Sequence, residues 1–213
     1  QSKIEPFISI DEEGGMVSRL ANTLNFNLPT FNNMEVIGNT NDPSQAYQLG
    51  LTIGNYLKDY GFNLNFAPVA DVNSNPNNPV IGARAFSNDP HIVAQMVSSA
   101  IQGFHEAGIY ISIKHFPGHG DTSTDSHFED VTTEKTLESL QQLELIPFEA
   151  GIIAKTDMVM MAHILTPNIT DDSYPASMSK EIHTLLRETL NFEGLIITDS
   201  ISMKAISNQY SAG

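Results

Sequence analysis

The alternation of short apolar runs with longer stretches of helical periodicity constrains the fold of this 213-residue chain more than any other feature. The apolar runs predict β-strands, whereas apolar positions spaced three and four residues apart predict helices. Strands that alternate with helices form parallel β-α-β units, so we expect an α/β fold. The predicted strands are residues 7–10, 64–69, 109–113, 158–161 and 195–198, and the predicted helices are residues 43–60, 91–107, 136–155 and 179–190.

Local signals mark the ends of several predicted helices. Gly108 directly follows one helical stretch and is expected to end it. Pro147 lies within another and is expected to break or restart it, because proline lacks the backbone N–H that an internal helical turn requires. Ser179 is a suitable N-cap residue for the last long helix.

Polar side chains directly follow nearly every predicted strand. In a (β/α)8 barrel the carboxyl ends of all strands converge on one mouth, whereas a doubly wound sheet gathers them less completely. Five strand candidates fall short of the eight that a closed barrel contains. We therefore predict an α/β fold of the (β/α)8 TIM-barrel type, with fewer strands than a closed barrel contains. The strand-end residues are Asp11, Asp71, Lys114, His115, His163 and Asp199.

Composition narrows the possible partners. The net charge of −15 repels nucleic-acid phosphates, so no nucleic acid is expected as a partner. No run approaches the roughly 20 apolar residues of a membrane-spanning helix, so no span is expected. The absence of cysteine excludes disulfides, thiolate zinc sites and cysteine nucleophiles. These features leave the oligomeric state open, and they are compatible with either a cytoplasmic or an exported protein.

The segment over residues 114–127 is rich in histidine, glycine and aspartate. Gly118 and Gly120 flank His119 in what is expected to be a tightly turned loop. Asp125 precedes His127 by two residues, so its carboxylate can hold one ring nitrogen and leave the other to transfer a proton. The same residue types also form ordinary surface turns, and the residues alone leave both interpretations open.

Asp199 follows an apolar strand, and three roles suit a carboxylate at that position: nucleophile, metal ligand or helix N-cap. Asp11 occupies the equivalent position after its own strand. Together with Arg84, Lys114 and His115, these carboxylates would form a polar pocket suited to the many hydroxyl groups of a sugar.

A metal centre is the competing interpretation of the same residues. Zinc sites need three or four converging ligands, and no His-x-x-x-His pair lies on a clear helix of this chain. We therefore expect no metal and no other cofactor. The candidate ligands of that alternative are His115, His119, His127, His163 and Asp199.

Five sequence blocks, spread in order over nearly the whole chain, resemble those of glycoside hydrolase family 3. The block KHFPGHG with the later DSH is the specific one, because it is similar to the β-N-acetylglucosaminidase branch. Relatives that act on glucosides share its Lys-His pair but lack the Asp-Ser-His loop. The blocks are IDEEGGMVSRL at 10–20, FAPVADV at 66–72, IGARAFS at 81–87, KHFPGHG at 114–120 with DSH at 125–127, and TDSISM at 198–203.

This resemblance implies that residues 1–213 form one catalytic barrel domain that is incomplete at both ends, because in the family a strand precedes the Asp11 block and further strands follow the Asp199 block. The same resemblance implies a retaining, exo-acting hydrolysis of terminal β-linked N-acetylglucosamine in peptidoglycan or chitin fragments. It implies that Asp199 is the nucleophile that forms a covalent glycosyl-enzyme, and that His127 is the acid/base, oriented by Asp125. The residues expected to bind the sugar hydroxyls are Asp11, Arg19, Arg84, Lys114 and His115.

Two alternatives remain within the same family. An incomplete barrel would make the chain an inactive or sugar-binding fragment. Phosphorolysis is also possible, because a neutral imidazole base does not repel an anionic phosphate nucleophile as a carboxylate would.

Overall fold

The structure, a computed structural model, describes residues 5–123 and 131–210. Nine short strands and seven α-helices occur in these two ranges. The strands are β1 Ser9–Ile10, β2 Glu12–Gly14, β3 Val17–Ser18, β4 Leu64–Asn65, β5 Tyr110–Phe116, β6 Val131–Thr132, β7 Met158–Met161, β8 Ile164–Leu165 and β9 Leu195–Thr198. The α-helices are α1 Met34–Gly38, α2 Pro43–Asp59, α3 Pro90–Ala107, α4 Leu137–Gln142, α5 Leu145–Ile153, α6 Lys180–Thr184 and α7 Lys204–Ser207.

Five strands form one parallel sheet in the order β1-β4-β5-β7-β9. Ser9 pairs with Leu64 at one side of the sheet, and Met158 pairs with Leu195 at the other. Helices connect each strand to the next one in the sheet, so the predicted parallel β-α-β arrangement is confirmed. Because all five strands run the same way, their carboxyl ends lie along one edge.

Two further strand pairs were not predicted from the sequence. A bulged antiparallel hairpin joins β2 to β3 directly after β1. The parallel pair of β6 and β8 lies beyond the carboxyl ends of β5 and β7 along the chain. Both pairs consist of two or three residues per strand, which is too short for a period-two pattern to be recognised.

The ends of the long helices follow their sequence signals. The carboxylate of Asp42 caps α2 by accepting from the Ser44 N–H, and Asp89 caps α3 in the same way. Gly108 ends α3 in the left-handed conformation, with φ of 81°, as predicted. Ser179 accepts from the Ile182 N–H, which confirms it as the cap of α6.

The helix predicted over residues 136–155 is two helices, α4 and α5. The interruption falls at 143–144, before Pro147, which lies in the first turn of α5, where a missing N–H is tolerated. The predicted helix over 179–190 is α6 followed by a π-helical turn, Leu185–Thr189.

Two predicted strands are regular over only part of their length. The strand predicted over 7–10 is β1, Ser9–Ile10. The strand predicted over 64–69 ends at Asn65, and Val69 rejoins the sheet through a single bridge to Lys114.

An apolar core between the sheet and its helices fixes the strand ends. Phe116 at the end of β5 packs edge-to-face on Phe148 of α5, with ring centroids 5.2 Å apart. Phe86 and Phe104 are likewise fully buried. In the described ranges, no helix has both the length and the apolar character needed to cross a membrane.

Candidate active site

A cavity of about 300 Å³ opens at the carboxyl ends of β1, β5, β7 and β9. Six of the eight side chains predicted for the site line it, and they come from loops that are far apart in sequence. Asp125 and His127, the other two, lie outside the described residues. The six are Asp11, Arg19, Arg84, Lys114, His115 and Asp199.

An irregularity at the end of β5 delivers two successive basic side chains to the cavity. Successive residues of a regular strand point to opposite faces of the sheet. Here Lys114 and Phe116 pair with the neighbouring residues Met160 and Met161 of β7, so His115 is an extra residue in the register. Lys114 and His115 both line the cavity as a result.

A buried carboxylate, Glu13, organises the cations of the site. Its two oxygens accept from Arg84, with Nη2 2.7 Å from Oε1 and Nε 2.9 Å from Oε2, in a forked ion pair. Lys114 Nζ lies 2.6 Å from Glu13 Oε1 and 2.7 Å from Asp11 Oδ1. Burial by itself raises the pKa of Glu13, but Lys114 and Arg84 together lower that pKa to about 2. Glu13 therefore stays ionised and fixes both cations in the wall of the cavity.

Asp11 is the more accessible carboxylate of this cluster. Its side chain is 38% exposed, whereas that of Glu13 is 1% exposed. Asp11 therefore presents oxygen atoms to the cavity, where they can accept hydrogen bonds from hydroxyl groups.

Asp71, at the end of the segment that follows β4, holds the loop after β5. Its Oδ2 lies 2.6 Å from His115 Nδ1 and accepts from the His115 N–H at 3.2 Å. Its Oδ1 accepts from the His119 N–H at 2.7 Å. Burial raises the pKa of Asp71, but the positive field and hydrogen bonds of His115 outweigh it, and the net pKa is lowered. Asp71 is therefore an ionised acceptor for the ring and the backbone N–H of His115.

Asp199 follows β9 and is held by backbone contacts at the mouth of the cavity. Its N–H donates to the carbonyl of Met161 at 3.0 Å, and its Oδ1 accepts from the Ser200 N–H at 2.7 Å. Burial raises the pKa of Asp199, but His115, the Ser200 N–H, Lys114 and His163 act against it and leave the pKa below its ordinary value. An ionised carboxylate on the wall of a cavity that also contains Lys114 and His115 is equipped to act as a nucleophile.

Two further histidines lie near the strand ends. His119 lines the cavity, and its pKa is lowered by burial and by the positive field of His115. His163 Nδ1 lies 2.7 Å from Ser177 Oγ, and its Nε2 lies 3.1 Å from the Ser200 carbonyl, so His163 positions the turn after Asp199. In residues 5–123 and 131–210, no group of three or more His, Asp or Glu side chains is arranged to hold a metal ion.

No sugar-binding or catalytic role was predicted from the sequence for Glu13, Asp71 or His119, and His119 was predicted only as a ligand in the metal-centre alternative. A usable signal existed for Glu13, because it lies two residues after Asp11, and alternate residues of an extended segment share a face. Asp71 was recognised at a strand end, but only the tertiary contact with His115 gives it a partner.

Comparisons with known proteins identify the family of this chain. The model of the family described as "Glycosyl hydrolase family 3 N terminal domain" matches residues 1–212. The chain is 38% identical over 224 residues to beta-hexosaminidase A of Pseudoalteromonas piscicida. This alignment covers 98% of this chain and 37% of that protein. The chain is 37% identical over 204 residues to the beta-hexosaminidase of Xylella fastidiosa (strain M23), covering 93% of this chain and 59% of that protein.

The fold of this chain is also similar to that of a solved structure. The glycoside hydrolase family 3 beta-N-acetylglucosaminidase from Paenibacillus sp. str. FPU-7 superimposes with a TM-score of 0.91 and 42% identity. The match covers 97% of this chain and 39% of that one, so this chain spans well under half of that protein. The chain therefore belongs to glycosyl hydrolase family 3, as an incomplete α/β domain of the TIM-barrel type.

Proposed function

We propose that the protein containing this chain is a retaining, exo-acting β-N-acetylglucosaminidase, and that residues 1–213 are part of a single catalytic barrel domain. The observation that carries the proposal is the position of Asp199, an ionised carboxylate on the wall of the cavity that is also lined by Arg19, Arg84, Lys114 and His115. The names of the relatives, beta-hexosaminidases and a beta-N-acetylglucosaminidase, support the same substrate class.

In this proposal the polar wall holds a terminal sugar. Lys114, Arg84 and Arg19 donate to hydroxyl oxygens, and Asp11 accepts from hydroxyl groups, while His115 contributes a ring nitrogen. Hydrogen bonds to charged groups are worth about 1.5–3 kcal/mol each, so a few of them suffice to fix one sugar ring.

The chemistry proceeds in two displacements. An oxygen of Asp199 forms a bond to the anomeric carbon as the glycosidic C–O bond breaks, and the leaving oxygen takes a proton from His127. In the second step His127 removes a proton from water, which attacks the anomeric carbon and releases Asp199 as a carboxylate. The roles of His127 and its orienting partner Asp125 rest on the sequence block alone.

A histidine acid/base departs from the usual pair of carboxylates. An unperturbed imidazole has a pKa of about 6.5, which lies close to the value that a group alternating between acid and base requires. The substrates expected on this basis are peptidoglycan or chitin fragments with a terminal β-linked N-acetylglucosamine.

Covalent trapping tests the nucleophile in the complete protein. A fluorinated N-acetylglucosaminide with a good leaving group should label the peptide that contains Asp199, and Asp199→Asn should lower kcat by several orders of magnitude. Asp59→Asn, at the exposed end of α2, is the matched control and should leave both label and kcat unchanged. Label on Asp11 would contradict the assignment.

Two measurements distinguish the proposed hydrolase from a phosphorylase and from a sugar-binding protein without activity. Adding phosphate to the assay distinguishes a phosphorylase, because the product would then be a sugar 1-phosphate. Sugar binding without turnover would identify a non-catalytic binding protein.

A further inference from the structure

Asp71 is a buried carboxylate near the cavity, and both of its oxygens are in hydrogen bonds. It is fully buried, and three N–H groups converge on it: the ring Nδ1 of His115 and the backbone N–H groups of His115 and His119. None of the five sequence blocks assigns it a role. A carboxylate buried this deeply is costly unless it is paired and fully hydrogen-bonded, so its contacts define the geometry of its partners.

We propose that Asp71 is a positioning residue for the hydrolytic reaction, acting through His115. This inference rests on the proposed function. Asp71 holds the proton of His115 on Nδ1, and so leaves Nε2 as the ring nitrogen directed to the cavity. The tautomer of a histidine is set by the hydrogen bond that its other nitrogen makes, and here that bond is short and fully buried.

The charges around His115 make its contact with Asp71 relevant to both half-reactions. The positive field of His115 acts on two carboxylates, Asp71 beneath it and Asp199 across the cavity. When Asp199 bonds to the anomeric carbon, its negative charge is lost. Asp71 is not consumed, so it still accepts the hydrogen bond from the His115 ring in the glycosyl-enzyme. The other charged or titratable groups that line the cavity around His115 are Asp11, Glu13, Arg19, Arg84, Lys114 and His119.

Asp71 also joins the loops that follow β4 and β5. Its second oxygen binds the His119 N–H, and the neighbouring residues are in close contact, because a Cβ on Gly120 would lie 1.7 Å from the carbonyl oxygen of Val72. The two loops therefore pack as one unit, with His115 fixed within it.

A double-mutant cycle in the complete protein tests the proposal. Asp71→Asn keeps the shape of the side chain but directs an amide N–H towards groups that also donate. We expect kcat for an aryl β-N-acetylglucosaminide to fall about 100-fold or more, as when an orienting carboxylate is replaced by its amide, while KM changes less. The Asp71→Asn/His115→Gln double variant should have kcat/KM within about threefold of His115→Gln alone, because contacts in one network are not additive. Losses that multiply would overturn the proposal.

The chain offers a matched control at the opposite end of the sheet. His105 Nε2 lies 2.9 Å from Asp157 Oδ2, and Asp157 also accepts from the Ile111 N–H at 3.0 Å. This second Asp–His pair is remote from the cavity. Asp157→Asn should lower the melting temperature and leave kcat within twofold, whereas a fall in kcat comparable to that of Asp71→Asn would show that the loss reflects general destabilisation.

A spectroscopic measurement keeps the proposal testable if Asp71→Asn does not fold. In the wild-type protein with ¹⁵N-labelled histidine, His115 should have Nδ1 protonated at every pH at which the protein is folded. A neutral ring protonated on Nε2 would overturn the proposal. This measurement needs no turnover, so it tests the role of Asp71 separately from the proposed function. A failure of the proposed function would instead appear as a wild-type protein that is inactive on every β-N-acetylglucosaminide.

Discussion

The buried ion cluster around Glu13 can be tested by measuring the stability of the protein. The cluster consists of Glu13, Arg84, Lys114 and Asp11. Replacing Glu13 by glutamine leaves Arg84 without its forked partner and Lys114 with Asp11 alone. Breaking a buried ion pair in this way usually costs about 3–5 kcal/mol, because a charge remains buried without compensation. We therefore expect Glu13→Gln to fold with a clearly reduced free energy of unfolding at pH 7.

The lowered pKa of Glu13 gives a second figure for how much its ionised form stabilises the folded protein. The pKa of Glu13 falls from its ordinary value of 4.5 to about 2 in the folded protein. This difference is equivalent to about 3 kcal/mol of stability at neutral pH. Because the folded pKa is depressed, this stabilisation is complete above the unfolded pKa and is lost as the pH falls towards 2. At pH 3 roughly half of it should remain.

Urea unfolding of wild type and Glu13→Gln at pH 7, 4 and 3 measures this effect. The difference between the two proteins should shrink steadily as the pH falls. Glu149→Gln, at an exposed position of α5, serves as the control and should change stability by less than about 0.5 kcal/mol at each pH. A Glu13→Gln difference below about 1 kcal/mol at pH 7, or one independent of pH, would refute the reasoning, because a buried carboxylate paired with two cations must lose more.

Three further predictions concern activity and folding. Lys114→Met should lower kcat/KM by about tenfold or more through loss of charged hydrogen bonds, and a value within twofold of wild type would place the sugar elsewhere. His127→Ala should slow substrates with poor leaving groups far more than activated aryl glycosides, which need little protonation; a uniform loss would make this residue structural or sugar-binding. Gly120→Ala should lower both melting temperature and activity, because its Cβ would meet the Val72 carbonyl, and an unchanged melting temperature would show that the two loops are not in tight contact.

The order of strands and helices could be predicted from the sequence because it depends on local patterns. The apolar run at 195–198 forms β9 at those bounds, and the helix over 43–60 ends one residue early. The convergence of Asp11, Lys114 and Asp199 also follows from the sequence, since the carboxyl ends of parallel strands lie at one edge of the sheet. These inferences need only periodicity and strand direction.

The sequence by itself thus determined the fold class, the edge of the sheet that carries the site and six side chains that line it. Only the tertiary structure decided how those side chains are held. Glu13 is buried between Arg84 and Lys114, and Asp71 accepts from His115, because loops 44 to 101 residues apart in sequence meet at the strand ends. The extra residue in the register of β5 depends on pairing with β7. Such contacts are fixed by packing between distant segments, and no local pattern of charge or hydropathy encodes them.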